Sequence, residues 1–163
     1  MGLFDLFRED SAELSVEDMA DYVYGVYKVI DKKCNYKDDL SVLNPYERNL
    51  YVAMMLEIDV YNGGFEEYFK SQSADYYQEA ASSFEELGGY DAAYICRRAI
   101  GALGDGLPVT RREREAYYNA AFEDSLDETL FDCETELKEQ SDELISLYYA
   151  YITNYESYFA DDL

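Results

Sequence analysis

The chain contains no histidine and no tryptophan, two prolines, and 13 bases against 36 acids. Without histidine it lacks the usual general base near neutral pH and the commonest metal ligand. Ser–His and Cys–His nucleophilic arrangements are excluded with it. Cys34, Cys96 and Cys133 are odd in number, far apart and form no CxxC pair, so they read as reduced core thiols of a cytoplasmic protein. No apolar run approaches the roughly 18 residues that a membrane-spanning helix needs. The apolar start, Met1 to Phe7, is too short for the core of a signal peptide and is followed by acids. Gly2 invites myristoylation, but Leu6 stands where that motif requires Ser or Thr. Sustained period-two alternation and β-branched clusters are missing, so strands are not expected. No fixed-period repeat is visible.

What is present is acid, tyrosine and apolar residues in helical spacing. The formal charge is −23, 19 residues are Tyr, and the apolar share of 48% is that of a folded protein. A chain of 163 residues reads as one domain, able to bury roughly 70% of its unfolded surface. The charge nearly excludes direct nucleic-acid binding, because such a surface repels phosphate and releases no counterions. It is equally unsuited to an anionic membrane. Basic proteins or cations are the expected partners, with solubility alone as the alternative use of the charge.

In chain order, residues 1–14 read as an N-terminal arm whose Leu3, Phe4, Leu6 and Phe7 could dock on the domain formed by 15–163. Ser15 with Asp18 opens a helix to about Lys33. A connector follows, and Asn44-Pro45 with Glu47 opens the next helix. Ser73 is the expected cap of a helix to about Leu87, and Gly88-Gly89 stop it. A helix from Asp91 carries a small-residue seam, Ala92, Ile95, Cys96, Ala99 and Leu103. Gly104 to Pro108 is the clearest loop. Thr110 with Glu113 and Ser125 with Glu128 read as capping boxes, for helices over 111–123 and to about Cys133. A long last helix is expected over 136–159. This is an all-α protein: a single domain of seven or eight helices in an irregular bundle.

The stretch Glu57 to Phe69 organises the rest. One helix ends and another begins around Asn62-Gly63-Gly64, where the glycines allow positive φ and close backbone approach. Asn62 suits a left-handed or capping role. Phe65, Tyr68 and Phe69 share one helical face. Glu57, Asp59, Glu66 and Glu67 flank the corner, and a carboxylate metal site there is the main enzymatic alternative. The preferred role of Glu57 is a structural buttress, paired with backbone donors or an arginine.

The densest charge lies at 123–143: Glu123, Asp124, Asp127, Glu128, Asp132, Glu134, Glu136, Glu139, Asp142 and Glu143, with Lys138 the one base. Spread over an expected surface on the order of 8,000 Å², the acids would stand one per roughly 230 Å². Duplex DNA carries about one charge per 100 Å² of its envelope. Only acids gathered on one or two faces would approach that density. The pairs Tyr76-Tyr77, Tyr117-Tyr118 and Tyr148-Tyr149 each place one ring inward and one outward, where the outer ring suits a protein interface.

The segment Tyr61-Asn-Gly-Gly-Phe65, followed by Tyr68-Phe69 and preceded by Glu57, resembles the signature of the bacterial DNA-mimic protein family. The Gly88 junction, a Leu126-Asp127-Glu128 turn and Tyr151-Ile152 follow in the family's order, so the resemblance covers about residues 40–159. It implies an all-α fold and a non-enzymatic role without cofactor or metal. It also implies acids placed like DNA phosphates, which occupy the DNA-binding face of a basic protein such as a transcription factor. The signature itself is a folding motif; the mimicry resides in surface acids. A helical protein-interaction or immunity-type module is the second expectation, and a carboxylate metal enzyme the third.

Overall fold

A computed structural model describes residues 13–163. The expected arm over 1–14 falls mostly outside that range. Seven α-helices account for the described residues: α1 (Val16–Lys33), α2 (Pro45–Lys70), α3 (Tyr77–Glu86), α4 (Tyr90–Ala102), α5 (Arg111–Ala121), α6 (Asp124–Glu139) and α7 (Ser141–Asn154). Short 3-10 turns cover Leu40–Val42, Gln72–Tyr76, Glu156–Tyr158 and Ala160–Asp162. No strand occurs among the described residues.

α2 is the axle. Leu50, Tyr51, Ala53, Leu56 and Val60 are fully buried, because α1, α3, α5 and α6 all pack against this helix. α7 lies along α1, and α4 bridges α3 to α6. Cys34, Cys96 and Cys133 are buried free thiols, as expected of core residues. Each tyrosine pair sends one ring inside (Tyr77, Tyr118, Tyr148), while its neighbour is half-buried rather than outward.

The helix starts divide by chemistry. The Asn44 side chain accepts from the Glu47 amide, and the Glu47 carboxylate accepts from the Asn44 amide at 2.8 Å, a complete capping box. Ser15 accepts from the Asp18 amide. The other expected caps do not form. Thr110 donates to Glu113 at 2.7 Å and Ser125 to Glu123 at 2.9 Å, so both hydroxyls serve carboxylates instead of helix amides. Ser71, not Ser73, caps the turn before α3; Ser73 is buried with its hydroxyl unpartnered.

The largest revision concerns the helix break near Cys133. Leu126, Leu130, Cys133 and Leu137 form one buried stripe, so α6 continues to Glu139 and the chain turns at Gln140. Leu126-Asp127-Glu128 lies in the first turns of α6, as the expected helix start near Ser125 implies, and it is the end of that helix that moves, from Cys133 to Glu139. The expected helix over 136–159 is split between the end of α6 and α7. α1 ends unexpectedly in three consecutive left-handed residues, Asn35, Tyr36 and Lys37 (φ 51°, 56° and 74°). Such residues cost about 1 kcal/mol or more each.

Candidate functional site

The glycine corner is a kink inside α2. Gly63 has φ −155° and ψ 17°; Gly64 has φ 75° and ψ −176°, a region open essentially to glycine alone. Asn62 stays helical and exposed, so it neither caps nor turns the chain. The close approach at the kink comes from α6. A Cβ on Gly64 would stand 2.5 Å from Glu134 Oε2, and one on Gly63 would stand 2.7 Å from Glu67 Cβ. Glu134 lies over the kink and accepts from Lys138 at 2.7 Å, and the Lys138 ammonium sits 5.9 Å from the Tyr61 ring centre. One end of the acidic helix is thus docked on the glycines.

Past the kink, Phe65, Tyr68 and Phe69 are buried together, and the Phe69 ring packs at a tilt 6.3 Å from that of Tyr118 of α5. The carbonyls left open where this half-helix ends meet a fully buried arginine. Arg114 donates to Phe69 O (3.0 Å), Ser71 O (2.7 Å), Val109 O and Asp75 Oδ1 (2.8 Å). Its planar fork suits several fixed acceptors, which a lysine could not serve together. The sequence offered one signal for it, a base at a core-facing position four residues before the buried Tyr118.

Glu57 pairs with neither backbone nor arginine. It is buried, and the Tyr148 hydroxyl of α7 donates to its Oε2 at 2.5 Å. Burial pushes its pKa up to about 7, against the opposing pull of that hydroxyl. The other flanking acids disperse: the Ser71 hydroxyl donates to Asp59, and Glu66 pairs with Lys70. Among the described residues no three Asp, Glu or Cys side chains converge as a metal site would require. Asp162, buried beside Glu47, is also pushed up to about 7, by burial and by that neighbouring carboxyl.

Of the ten acids at 123–143, eight are exposed: Glu123, Asp124, Asp127, Glu128, Asp132, Glu139, Asp142 and Glu143. Glu134 and Glu136 are half-buried and serve the fold through ion pairs with Lys138 (2.7 Å) and Arg98 (2.5 Å). The stripe of Leu126, Leu130, Cys133 and Leu137 faces the core, which turns Asp124, Asp127, Glu128, Asp132 and Glu139 outward. Asp124, Glu128 and Asp132 follow at four-residue steps, about 6 Å apart along the axis. α6 spans 16 residues, about 24 Å, and carries seven acids, one per about 3.4 Å. That equals the axial charge spacing of a single DNA strand. Discounting the two ion-paired acids leaves one per about 5 Å. Phe131 stands in the middle of this face and is 64% exposed.

The fold and its surface define an acidic, all-α scaffold built around a glycine-kinked central helix, with one helix face crowded by exposed carboxylates. The family model described as DMP19-like protein matches residues 41–155, more than two thirds of the chain, and the protein belongs to that family. This is a DNA-mimic family, matched over nearly the span of the resemblance noted from Asn62-Gly63-Gly64-Phe65. No curated protein and no solved structure matches the chain. No helix among the described residues is long and apolar enough to cross a membrane.

Proposed function

We propose that this protein is a non-enzymatic DNA mimic that presents the outer face of α6, continued by Asp142 and Glu143, to the DNA-binding surface of a basic protein and so competes with DNA. The observation that carries this reading is the charge spacing along α6. Five exposed carboxylates, without an ion pair among the described residues, share one side of a single helix. A partner that neutralises phosphates with Lys and Arg would meet similar anions here, already held in register. Family membership supports the same reading. Phe131 would add an apolar anchor at the centre, where interface energy concentrates.

The test is capture from the native host at low salt, followed by competition with DNA for the recovered protein. Binding that falls steeply with salt and is displaced by DNA supports the proposal. Neutral or acidic partners, or binding indifferent to salt, would count against it.

A second reading rests on a different surface. Tyr90 and Tyr94 of α4 are 69% and 63% exposed, one helical turn apart, and Arg98 lies over the Tyr94 ring at 5.6 Å. Such an aromatic and arginine strip has the composition of a protein interface. A general interaction module using α4 would keep its partner when the α6 acids are neutralised and lose it on Tyr94→Ala.

A further inference from the structure

A cavity of about 660 Å³ opens between α1, the α2 segment before the kink, and the start of α7. Its volume is that of a small-molecule site. Tyr24, Tyr27, Ile58, Tyr61 and Ile145 supply its walls, and Glu57 is the buried acid that lines it.

Among the described residues, no base lies within ion-pair distance of Glu57, unlike the buried Glu47, which pairs with Lys33 at 2.6 Å. A buried carboxyl without a cation is costly and needs a reason. The Tyr148 hydroxyl satisfies Oε2, and no donor among the described residues bonds Oε1. The Tyr24 hydroxyl lies close enough that, after burial, Glu57 and Tyr61 are what raise its pKa. Rings and carboxylate therefore surround one space. Glu17 and Asp142 add negative charge at its edge; Lys28 opposes them from the exposed side of α1.

We propose that this cavity binds a small organic cation, an ammonium or guanidinium group on an apolar body. The charge sits against Glu57 Oε1 between the Tyr24 and Tyr61 side chains, and the apolar body fills the space toward Ile58 and Ile145. Neutral molecules of the same shape gain only the apolar contacts. Anions meet Glu57, Glu17 and Asp142 together. The proposal is independent of the α6 surface, which lies outside the cavity walls apart from the flanking Asp142.

Binding couples to ionisation. A cation favours the carboxylate form, so occupancy draws the Glu57 proton off and affinity rises as pH passes through 7. The ionisable groups around Glu57 in this cavity are Glu17, Tyr24, Tyr27 and Lys28 of α1, Tyr61 of α2 and Asp142 of α7, with Tyr148 of α7 hydrogen-bonded to it. Burial raises the Glu57 pKa to about 7, which makes this carboxyl the source of that dependence.

The probes are benzylamine, a cation throughout pH 5–8, and benzyl alcohol, its neutral counterpart. Both are titrated into the full chain by NMR in 0.3 M NaCl, which screens loose attraction to the acidic surface. At pH 8 benzylamine binds about tenfold more tightly than benzyl alcohol, with shifts confined to residues 20–28, 57–62 and 141–145. The preference shrinks at pH 5 and disappears in Glu57→Gln. Tyr61→Ala, at an exposed ring, weakens benzylamine without altering the fold. Equal binding of the two probes overturns the proposal, as does binding of neither at millimolar concentration. A preference that survives Glu57→Gln but is lost when Asp127, Glu128 and Asp132 are neutralised also overturns it, as diffuse surface attraction.

Discussion

Replacing Glu57 with Gln should make folding stability less dependent on pH, and the size of the change follows from burial. The Glu57 pKa rises from an ordinary 4.5 to about 7 in the fold, so the folded state holds this proton more tightly than the unfolded chain does. The stability contributed by the protonated form is fully present below pH 4.5 and is lost as pH rises through 7. The gap between the two values corresponds to about 3 kcal/mol at the ceiling, of which about 2.5 kcal/mol falls between pH 5 and pH 8. Glutamine keeps the shape and an acceptor for the Tyr148 hydroxyl, but has no proton to lose. With a urea dependence of about 2 kcal/mol per molar, the wild-type midpoint should fall by about 1 M more than that of Glu57→Gln over this range. Self-repulsion of the acidic surface and the raised Asp162 pKa add the same trend to both proteins, so the difference isolates Glu57. Urea unfolding at pH 5, 6, 7 and 8 provides the comparison. A constant difference between the two proteins across that range would refute the reasoning. Tyr148→Phe removes the one hydroxyl that eases the ionised form, so its destabilisation should grow with pH.

Gly64→Ala should cost about 1–3 kcal/mol from its backbone conformation, with a further loss from the Cβ meeting Glu134; the double-mutant cycle with Glu134→Ala should recover the second part and leave the first, as read by thermal unfolding. Arg114→Met should destabilise by about 3 kcal/mol or more, because the buried Phe69 carbonyl, the part-buried Ser71 and Val109 carbonyls and Asp75 lose their donor; Arg114→Lys should recover little of it, and a full recovery would refute the need for the guanidinium fork. Converting Asp124, Asp127, Glu128, Asp132 and Glu139 to amides should leave stability unchanged or raise it slightly, since these side chains are exposed and mutually repulsive; a large loss in a denaturant melt would mean that they hold the fold.

Much of the fold was legible because apolar residues recur at helical spacing and several of the breaks coincide with Gly or Pro. The Asn44-Pro45 start, the Gly88 stop and the Gly104–Pro108 loop were all readable in this way. The misplaced break at Cys133 has a physical cause. Acids dilute the apolar stripe between Leu130 and Leu137, and Ser125 with Glu128 imitates a capping box that a nearby carboxylate pre-empts. The left-handed run at Asn35–Lys37 had no glycine to announce it. At the candidate surface, composition identified the acid-rich segment. It could not divide the exposed carboxylates from Glu134 and Glu136, because that division depends on where Lys138, Arg98 and Gly64 stand in space. Glu57 was identified as a buttress, yet its partner Tyr148 lies 91 positions away and no local pattern connects them. The cavity beside it joins three segments distant in sequence and had no local signature.

The central claim, that the α6 face competes with DNA for a basic protein, is tested most directly with the protein captured at low salt from the native host. Its binding is measured against increasing DNA, with the wild-type chain and with the five-amide α6 variant in parallel. The account predicts a basic, DNA-binding partner that DNA displaces from the wild-type protein, that leaves as salt rises, and that the variant fails to hold. A partner retained equally by the variant, or undisturbed by DNA and salt, would contradict it.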